Sequence, residues 1–253
     1  MTIPTKINEF VILYHGHTDE SRVKLIYRKT EKELSAEAEA FIEENWKSRL
    51  QKDSRIHNGK LIDFLGIRQE DERIEFLYSD TSFKLSCGTR HSGYSAFLSD
   101  NYHSNHVAIQ AAIITGDSKI LIGSDLTYWN NLLSWKFPGG YFDLDNDLLF
   151  SDCAKREISE ELGSLPITDF HISLIAKNIP KRFVTVGMTC RTKMSSNELM
   201  QVINANNPPD RYEMNQIQFI DMIPEKIQQF LDRKDLTTSP SATIFLKTIQ
   251  DKG

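Results

Sequence analysis

The sequence predicts an α+β fold, with a small amino-terminal α+β unit over residues 1–103 followed by a larger mixed unit over residues 104–253. Three observations carry that expectation. The chain has 253 residues, which allows one large domain or two of ordinary size. Apolar residues make up 40% and charged residues 26%, proportions that can bury a core and lie far from those of disordered chains. Strand-like and helix-like segments follow one another in mixed order, not as a regular βα alternation, which argues against a TIM barrel or a doubly wound sheet.

The first segment is an apolar run at 10–14, then a polar turn at 17–21 and a second run at 23–27, which together read as a two-stranded hairpin. Over 35–52 the apolar positions Ala38, Phe41, Ile42, Trp46 and Leu50 recur at helical spacing, with Ser35 as N-cap and no Gly or Pro inside. Strands are expected at 61–67, 74–78 and 83–85, and a short helical stretch carries Tyr94, Phe97 and Leu98. The polar stretch 99–105 is the candidate boundary. Beyond it, 107–115 and 119–122 read as a second hairpin around Gly116 and Asp117. A helix at 148–162, strands at 171–176, 183–190 and 216–220, and a helix at 224–231 follow. Ser239 or Ser241 can cap a last helix running to Ile249.

Composition excludes several classes of function. Thirty Lys and Arg against 35 Asp and Glu give a net charge of -5, without the basic excess of non-specific nucleic-acid binders, so nucleic acid is not an expected partner. The three cysteines, Cys87, Cys153 and Cys190, have no paired spacing, which suggests neither a disulfide framework nor a cysteine zinc site and fits a reducing cytoplasm. No apolar run approaches the length of a membrane span, and residues 1–10 lack the pattern of a signal peptide, so neither membrane insertion nor secretion is expected.

The chemical signal lies between Gly139 and Gly163. Glu157, Glu160 and Glu161 stand at i, i+3 and i+4, so three carboxylates crowd one turn of helix. Like charges so placed repel, and the hard, oxygen-seeking ions Mg²⁺ or Mn²⁺ would relieve the repulsion. Phe150, Ala154, Ile158 and Leu162 recur every four residues as a separate core stripe, and Gly163 ends the helix. The plainer alternative is a solvated acidic face.

The flanking residues weigh against that alternative. Trp135, Lys136, Phe137, Pro138, Gly139 and Gly140 precede the helix, and Arg156, Glu157, Ile158, Ser159, Glu160, Glu161, Leu162 and Gly163 lie in and just after it. This arrangement resembles the box of the Nudix hydrolase superfamily, G-x5-E-x7-R-E-U-x-E-E-x-G-U with U aliphatic. The carboxyl half matches up to Gly163, with Ser164 where an aliphatic residue is usual. The amino half departs from it: fifteen residues separate Gly140 from Arg156 where the pattern has thirteen, and the first Glu is absent, leaving Asp145 or Asp147 as its nearest substitute.

The resemblance implies an αβα sandwich around a mixed sheet and hydrolysis of a diphosphate linked to a nucleoside. It implies that Glu157, Glu160 and Glu161 ligate Mg²⁺ or Mn²⁺, with the Gly140 carbonyl as a further oxygen, and that Arg156 ties the loop to the helix. Glu213 would be an additional ligand or base, the alternative being a plain surface glutamate. Trp46, Arg49 and Leu50 on the first helix, then Tyr94, Phe97, Leu98 and Asn101, and later Pro240, Ser241 and Ala242, resemble the branch that cleaves UDP-glucose and UDP-galactose. That branch implies a nucleotide-sugar substrate, UMP and a hexose 1-phosphate as products, and an amino-terminal unit that helps shape the pocket. Arg90, Tyr94, Lys181 and Arg182 are then candidates to meet phosphate or base, against a reading as ordinary surface or core residues. An ADP-ribose pyrophosphatase and a non-catalytic nucleotide sensor remain alternatives within the same superfamily. The pairs His15 with His17 and His103 with His106 lack a third ligand nearby, so no zinc is expected, and Cys153 reads as a packed thiol.

Overall fold

The computed structural model describes residues 5–7, 9–31, 33–54, 56–70, 73–97, 102–125, 134–233 and 236–250, with backbone alone for 5–7, 95–97 and 125. Leu98 and Asn101, two of the residues that carry the finer resemblance, lie outside the described residues. In chain order the elements are β1 Thr5–Ile7, β2 Phe10–Asp19, β3 Val23–Tyr27, α1 Ala36–Lys52, β4 Lys60–Glu70, β5 Arg73–Ser82, α2 Phe83–Thr89 and a 3-10 turn Ser92–Phe97. There follow β6 His106–Ile114, β7 Lys119–Asp125, β8 Ser134–Lys136, α3 Phe150–Leu162, β9 Thr168–Asn178, β10 Phe183–Arg191 and α4 Ser196–Ala205. The chain closes with β11 Gln216–Asp221, α5 Pro224–Leu231, β12 Thr237–Thr238 and α6 Pro240–Gln250.

The class is α+β with a mixed sheet. Among the described residues twelve strands form one sheet whose main path runs β1-β2-β9-β10-β6-β4-β5-β3, while β7 branches from β6 and carries β11 and β8, with β12 beyond β8. The pairs β10/β6, β3/β5 and β12/β8 are parallel and the others antiparallel. Strands from residues 1–103 and from 104–253 are hydrogen-bonded in this one sheet: β2 pairs with β9, and β4 meets β6 at Asp63 and His106. Their apolar faces share a core as well, since Phe64, Ile74 and Phe76 pack in the same cluster as Val107, Ile109, Phe150 and Ile158.

The helix that carries the box sits where its stripe requires. Phe150, Ala154, Ile158 and Leu162 are all buried, and α3 packs on β6 and β10. Each fully buried large side chain of that stripe contributes roughly 1.5–3 kcal/mol. The loop before the helix is stitched to β6 by the bonds Ala111 N to Pro138 O (2.9 Å), Ile109 N to Gly140 O (2.8 Å) and Phe142 N to Val107 O (3.1 Å). Loop and helix are therefore both referenced to one buried strand.

Two elements differ from the sequence reading. Residues 10–14 and 23–27 are not hairpin partners: β2 pairs with β1 and β9, and β3 lies parallel to β5. Asp19 accepts from Ser21 N at 2.8 Å and starts a 3-10 turn, Glu20–Arg22, which sends the chain onward instead of back along β2. Residues 83–85 begin a helix and not a strand, because the Ser82 hydroxyl caps Leu85 N at 3.2 Å. The structure also contains α4, which the apolar pattern did not single out although Ser195 and Glu198 form a capping box at its start.

Candidate functional site

Arg156 is the hub of the acidic helix. Its Nε donates to Asp147 Oδ1 at 3.1 Å and its Nη2 to Asp147 Oδ2 at 2.9 Å, a two-pronged pair. Nη2 also donates to the Tyr141 carbonyl at 3.0 Å, while Nη1 reaches Glu157 Oε1 at 2.7 Å and Glu160 Oε2 at 3.2 Å. Asp147 is buried and accepts a further bond from Asp143 N at 2.9 Å. Asp145 faces outward and pairs with Lys60 at 3.5 Å. Of the two aspartates left open by the sequence, Asp147 is the one that holds Arg156. Burial disfavours the Arg156 charge, but the bonds to Asp147 and the Glu157 carboxylate outweigh it and keep the guanidinium protonated.

A second cation serves the inner side. Glu161 is fully buried, with Oε1 at 3.4 Å from Lys136 Nζ and Oε2 accepting Gly139 N at 3.2 Å. Lys136 also donates to Glu213 Oε2 at 2.7 Å, which ties β8 to the 3-10 turn Arg211–Met214. The three box acids are thus graded in exposure, Glu160 being 37% exposed, Glu157 13% and Glu161 2%. Burial pushes Glu157 up to about 7 and Glu161 up to about 8, against the opposing pull of Arg156 on the first and Lys136 on the second.

Five carboxylates, Asp147, Glu157, Glu160, Glu161 and Glu213, therefore share two cations. Burial is the main reason that two of them have a raised proton affinity, and the neighbouring carboxylates add to it. The donor set is all oxygen, the chemistry that suits Mg²⁺ or Mn²⁺. Among the described residues no group of three or more such side chains is already drawn together as a metal cage, because Lys136 and Arg156 stand between the acids. The glycines fit the same picture: a Cβ on Gly140 would collide with the Glu157 carboxylate, and one on Gly139 with the Ile109 carbonyl oxygen. The Gly140 carbonyl, expected as a further metal oxygen, already accepts Ile109 N.

Beside the acids lies a cavity of about 340 Å³, lined by Arg156, Glu157 and Glu213 and also by His57, Phe83 and Tyr141 among others. Sequence reasoning assigned no role to these three, nor to Lys136. Lys136 was at least flanked by the box, whereas His57 and Phe83 stand in no pattern and reach the site only through the shared sheet. The structure does not bring Arg90, Tyr94, Lys181 or Arg182 to this cavity. Arg90 caps α2 and donates to Ser86 O at 3.0 Å, and Tyr94 is buried with its hydroxyl on Tyr102 O at 3.2 Å. Lys181 borders a different cavity with Phe10, Pro240 and Lys247, and Arg182 sits in the β9–β10 turn with a φ of 50°. The Cys153 thiol is buried, donates to Tyr141 O at 3.5 Å and is pushed above the ordinary thiol range by burial.

No protein-family model matches the chain, and no curated protein matches it. Among solved structures it is similar to the NUDIX domain of Shewanella oneidensis NrtR complexed with ADP ribose, at 12% identity and a TM-score of 0.40, over 62% of this chain and 97% of that one. It is similar to a bifunctional NMN adenylyltransferase/ADP ribose pyrophosphatase from Francisella tularensis, at 15% identity and a TM-score of 0.40, over 63% of this chain and 45% of that one. It is also similar to Shewanella oneidensis NrtR complexed with a 27mer DNA, at 15% identity and a TM-score of 0.39, over 58% of this chain and 61% of that one. This last finding corrects the exclusion of nucleic acid as a partner. Net charge sums the whole chain and does not describe any one face, so a value of -5 does not support that exclusion. Among the described residues no helix is long and apolar enough to cross a membrane.

Proposed function

We propose that this chain is a Nudix-type hydrolase that cleaves the diphosphate of a nucleoside diphosphate derivative, with UDP-glucose or UDP-galactose as substrate and UMP and a hexose 1-phosphate as products. The observation that carries the reading is the Arg156 hub. The loop is two residues longer than the box pattern and lacks its first Glu, yet Asp147 holds the arginine on two prongs while the arginine spans Glu157 and Glu160.

Glu157, Glu160 and Glu161 are the residues that would hold a divalent ion. Such an ion supplies neutralisation of the diphosphate charge and activation of water at neutral pH. Arg156 is a positioning residue: with its donors spent on Asp147, Tyr141, Glu157 and Glu160, it fixes the carboxylates relative to the loop. Lys136 holds Glu161 and Glu213 on the opposite side. Glu213 borders the cavity and would take a proton from an attacking water, the work a carboxylate base does in such a site.

The test is turnover on UDP-glucose, UDP-galactose, ADP-ribose and GDP-sugars, with Mg²⁺ and with chelator. Mg²⁺-dependent release of UMP is expected to exceed release from the other substrates. Preferred release of AMP from ADP-ribose would move the assignment to that substrate, and nucleotide binding without any release would make the chain a sensor.

A further inference from the structure

The lining of the cavity beside the acids is of two chemical kinds, with Arg156, Glu157 and Glu213 charged and most of the rest apolar. Ile56, Leu61, Phe83 and Tyr141 supply an apolar wall, in which the rings of Phe83 and Tyr141 stand 5.5 Å apart between centroids and are tilted by 57°. Among the described residues His57 and Asp143 are the polar side chains that line the cavity besides the charged cluster. Gly59 has no side chain, and a Cβ placed there would lie 3.2 Å from His57 Nε2 and 3.9 Å from Asp143 Oδ2, so both polar atoms lie near one point, with Asp143 Oδ2 also accepting from Asn146 Nδ2 at 2.8 Å.

The wall is built, not loose. Phe83 N donates to Gly59 O at 3.0 Å, Lys84 N to Asn58 Oδ1 at 2.7 Å and Leu144 N to Lys60 O at 2.9 Å, while Leu61 bridges Asp143. The segment with His57 is thus sewn to α2 on one side and to the loop before α3 on the other. Aromatic rings with a nearby donor and acceptor suit a flat heteroaromatic ring, which stacks on its faces and hydrogen-bonds at its edge. A hexose would ask for several polar partners around its hydroxyls, and this wall offers two. A volume near 340 Å³ stands at the lower end for ligand pockets, enough for one arm of a nucleoside diphosphate derivative.

We propose that this wall of the cavity is the subsite for the base of a nucleotide, with Phe83 as the stacking ring, Tyr141 tilted beside it, and His57 with Asp143 reading the edge of the base. The inference rests on the proposed reaction for its orientation, since the diphosphate then lies toward Glu157. It gives residues 56–83 a defined task, selection of the nucleotide.

The test is equilibrium binding of UMP, AMP and glucose 1-phosphate to the full chain, compared with the Phe83→Leu, Phe83→Trp and His57→Gln variants. UMP or AMP should bind, and Phe83→Leu should weaken that binding about tenfold or more while leaving glucose 1-phosphate unchanged. In Phe83→Trp the new indole should be quenched by the bound nucleotide, and His57→Gln should alter the ratio of UMP to AMP affinity. The proposal is overturned if neither nucleotide binds, if Phe83→Leu and Phe83→Trp both leave nucleotide binding unaltered, or if only glucose 1-phosphate responds. Hydrolysis of UDP-glucose with an unchanged KM in Phe83→Leu would sink the subsite and spare the reaction. Phe83-dependent UMP binding without any hydrolysis would do the reverse.

Discussion

Asp147 accepts two bonds from one guanidinium and a third from Asp143 N while almost wholly buried, so its loss would leave Arg156 short of its main partner. Asp147→Ala is expected to destabilise the protein by about 2–3 kcal/mol, below the usual range for a broken buried pair because Glu157 and Glu160 still hold the arginine. Asp145→Ala, which removes an exposed pair with Lys60, should leave the urea midpoint nearly where it was. Equal midpoints for the two variants would refute the assignment. Glu160→Gln and Glu161→Gln should each lower kcat on the best substrate by orders of magnitude with the melting transition retained, and unchanged rates would end the role given to these acids. At this scale the three glutamates were legible from their spacing. The choice between Asp145 and Asp147 was not, because two acids two residues apart differ only in which way the loop turns them.

Among the elements, α3 was readable because its stripe, its acids and its terminal Gly163 each follow the helical period. The misreadings have a common cause. In residues 10–14, 23–27 and 83–85 short apolar runs fit more than one partner or period, and what decided them was a local cap: Asp19 on Ser21, and Ser82 on Leu85. Gly139 shows how a loop can be as constrained as a helix. Its backbone passes so close to β6 that a methyl group would strike the Ile109 carbonyl, and Gly139 N must also reach Glu161. Gly139→Ala is therefore expected to cost roughly 1–3 kcal/mol and to lower activity together with stability, checked by denaturation and kcat on the same preparation. Retention of both would mean that the loop has slack the contacts do not suggest.

For the whole molecule, the strands of the first hundred residues complete a sheet and a core begun by the rest, which no composition shift along the chain announces. A boundary near 99–105 rests on polarity, and polarity along a chain does not record which strands pair across space. The charge balance has a global consequence too. Glu157 and Glu161 keep their protons up to about pH 7 and 8 in the folded chain, against an ordinary value of 4.5. The folded state thus binds more protons than the unfolded one between pH 4.5 and 8, so stability falls as pH rises through that window. Asp117, whose carboxyl is held low by bonds from Thr115 and Ser196, acts in the opposite sense and only below pH 3.8. Metal-free protein should show a higher urea midpoint at pH 5 than at pH 8.5, with Mg²⁺ recovering part of the loss at the alkaline end. A midpoint that is flat or rises over that range would show that the two acids are not strained by burial.

The Arg156–Asp147 pair also bears on how such a site is detected at all. One residue is inserted on each side of the acid and the acid itself is one methylene shorter, so both intervals that flank it in the linear pattern are broken at once. The guanidinium nonetheless receives both oxygens, because added backbone makes up for lost side-chain reach. A pattern written as distances along the chain is blind to such a trade, whereas one written as the contact itself is indifferent to it. Other chains in which loop length and side-chain length have been exchanged would be found by searching for the fork around the arginine.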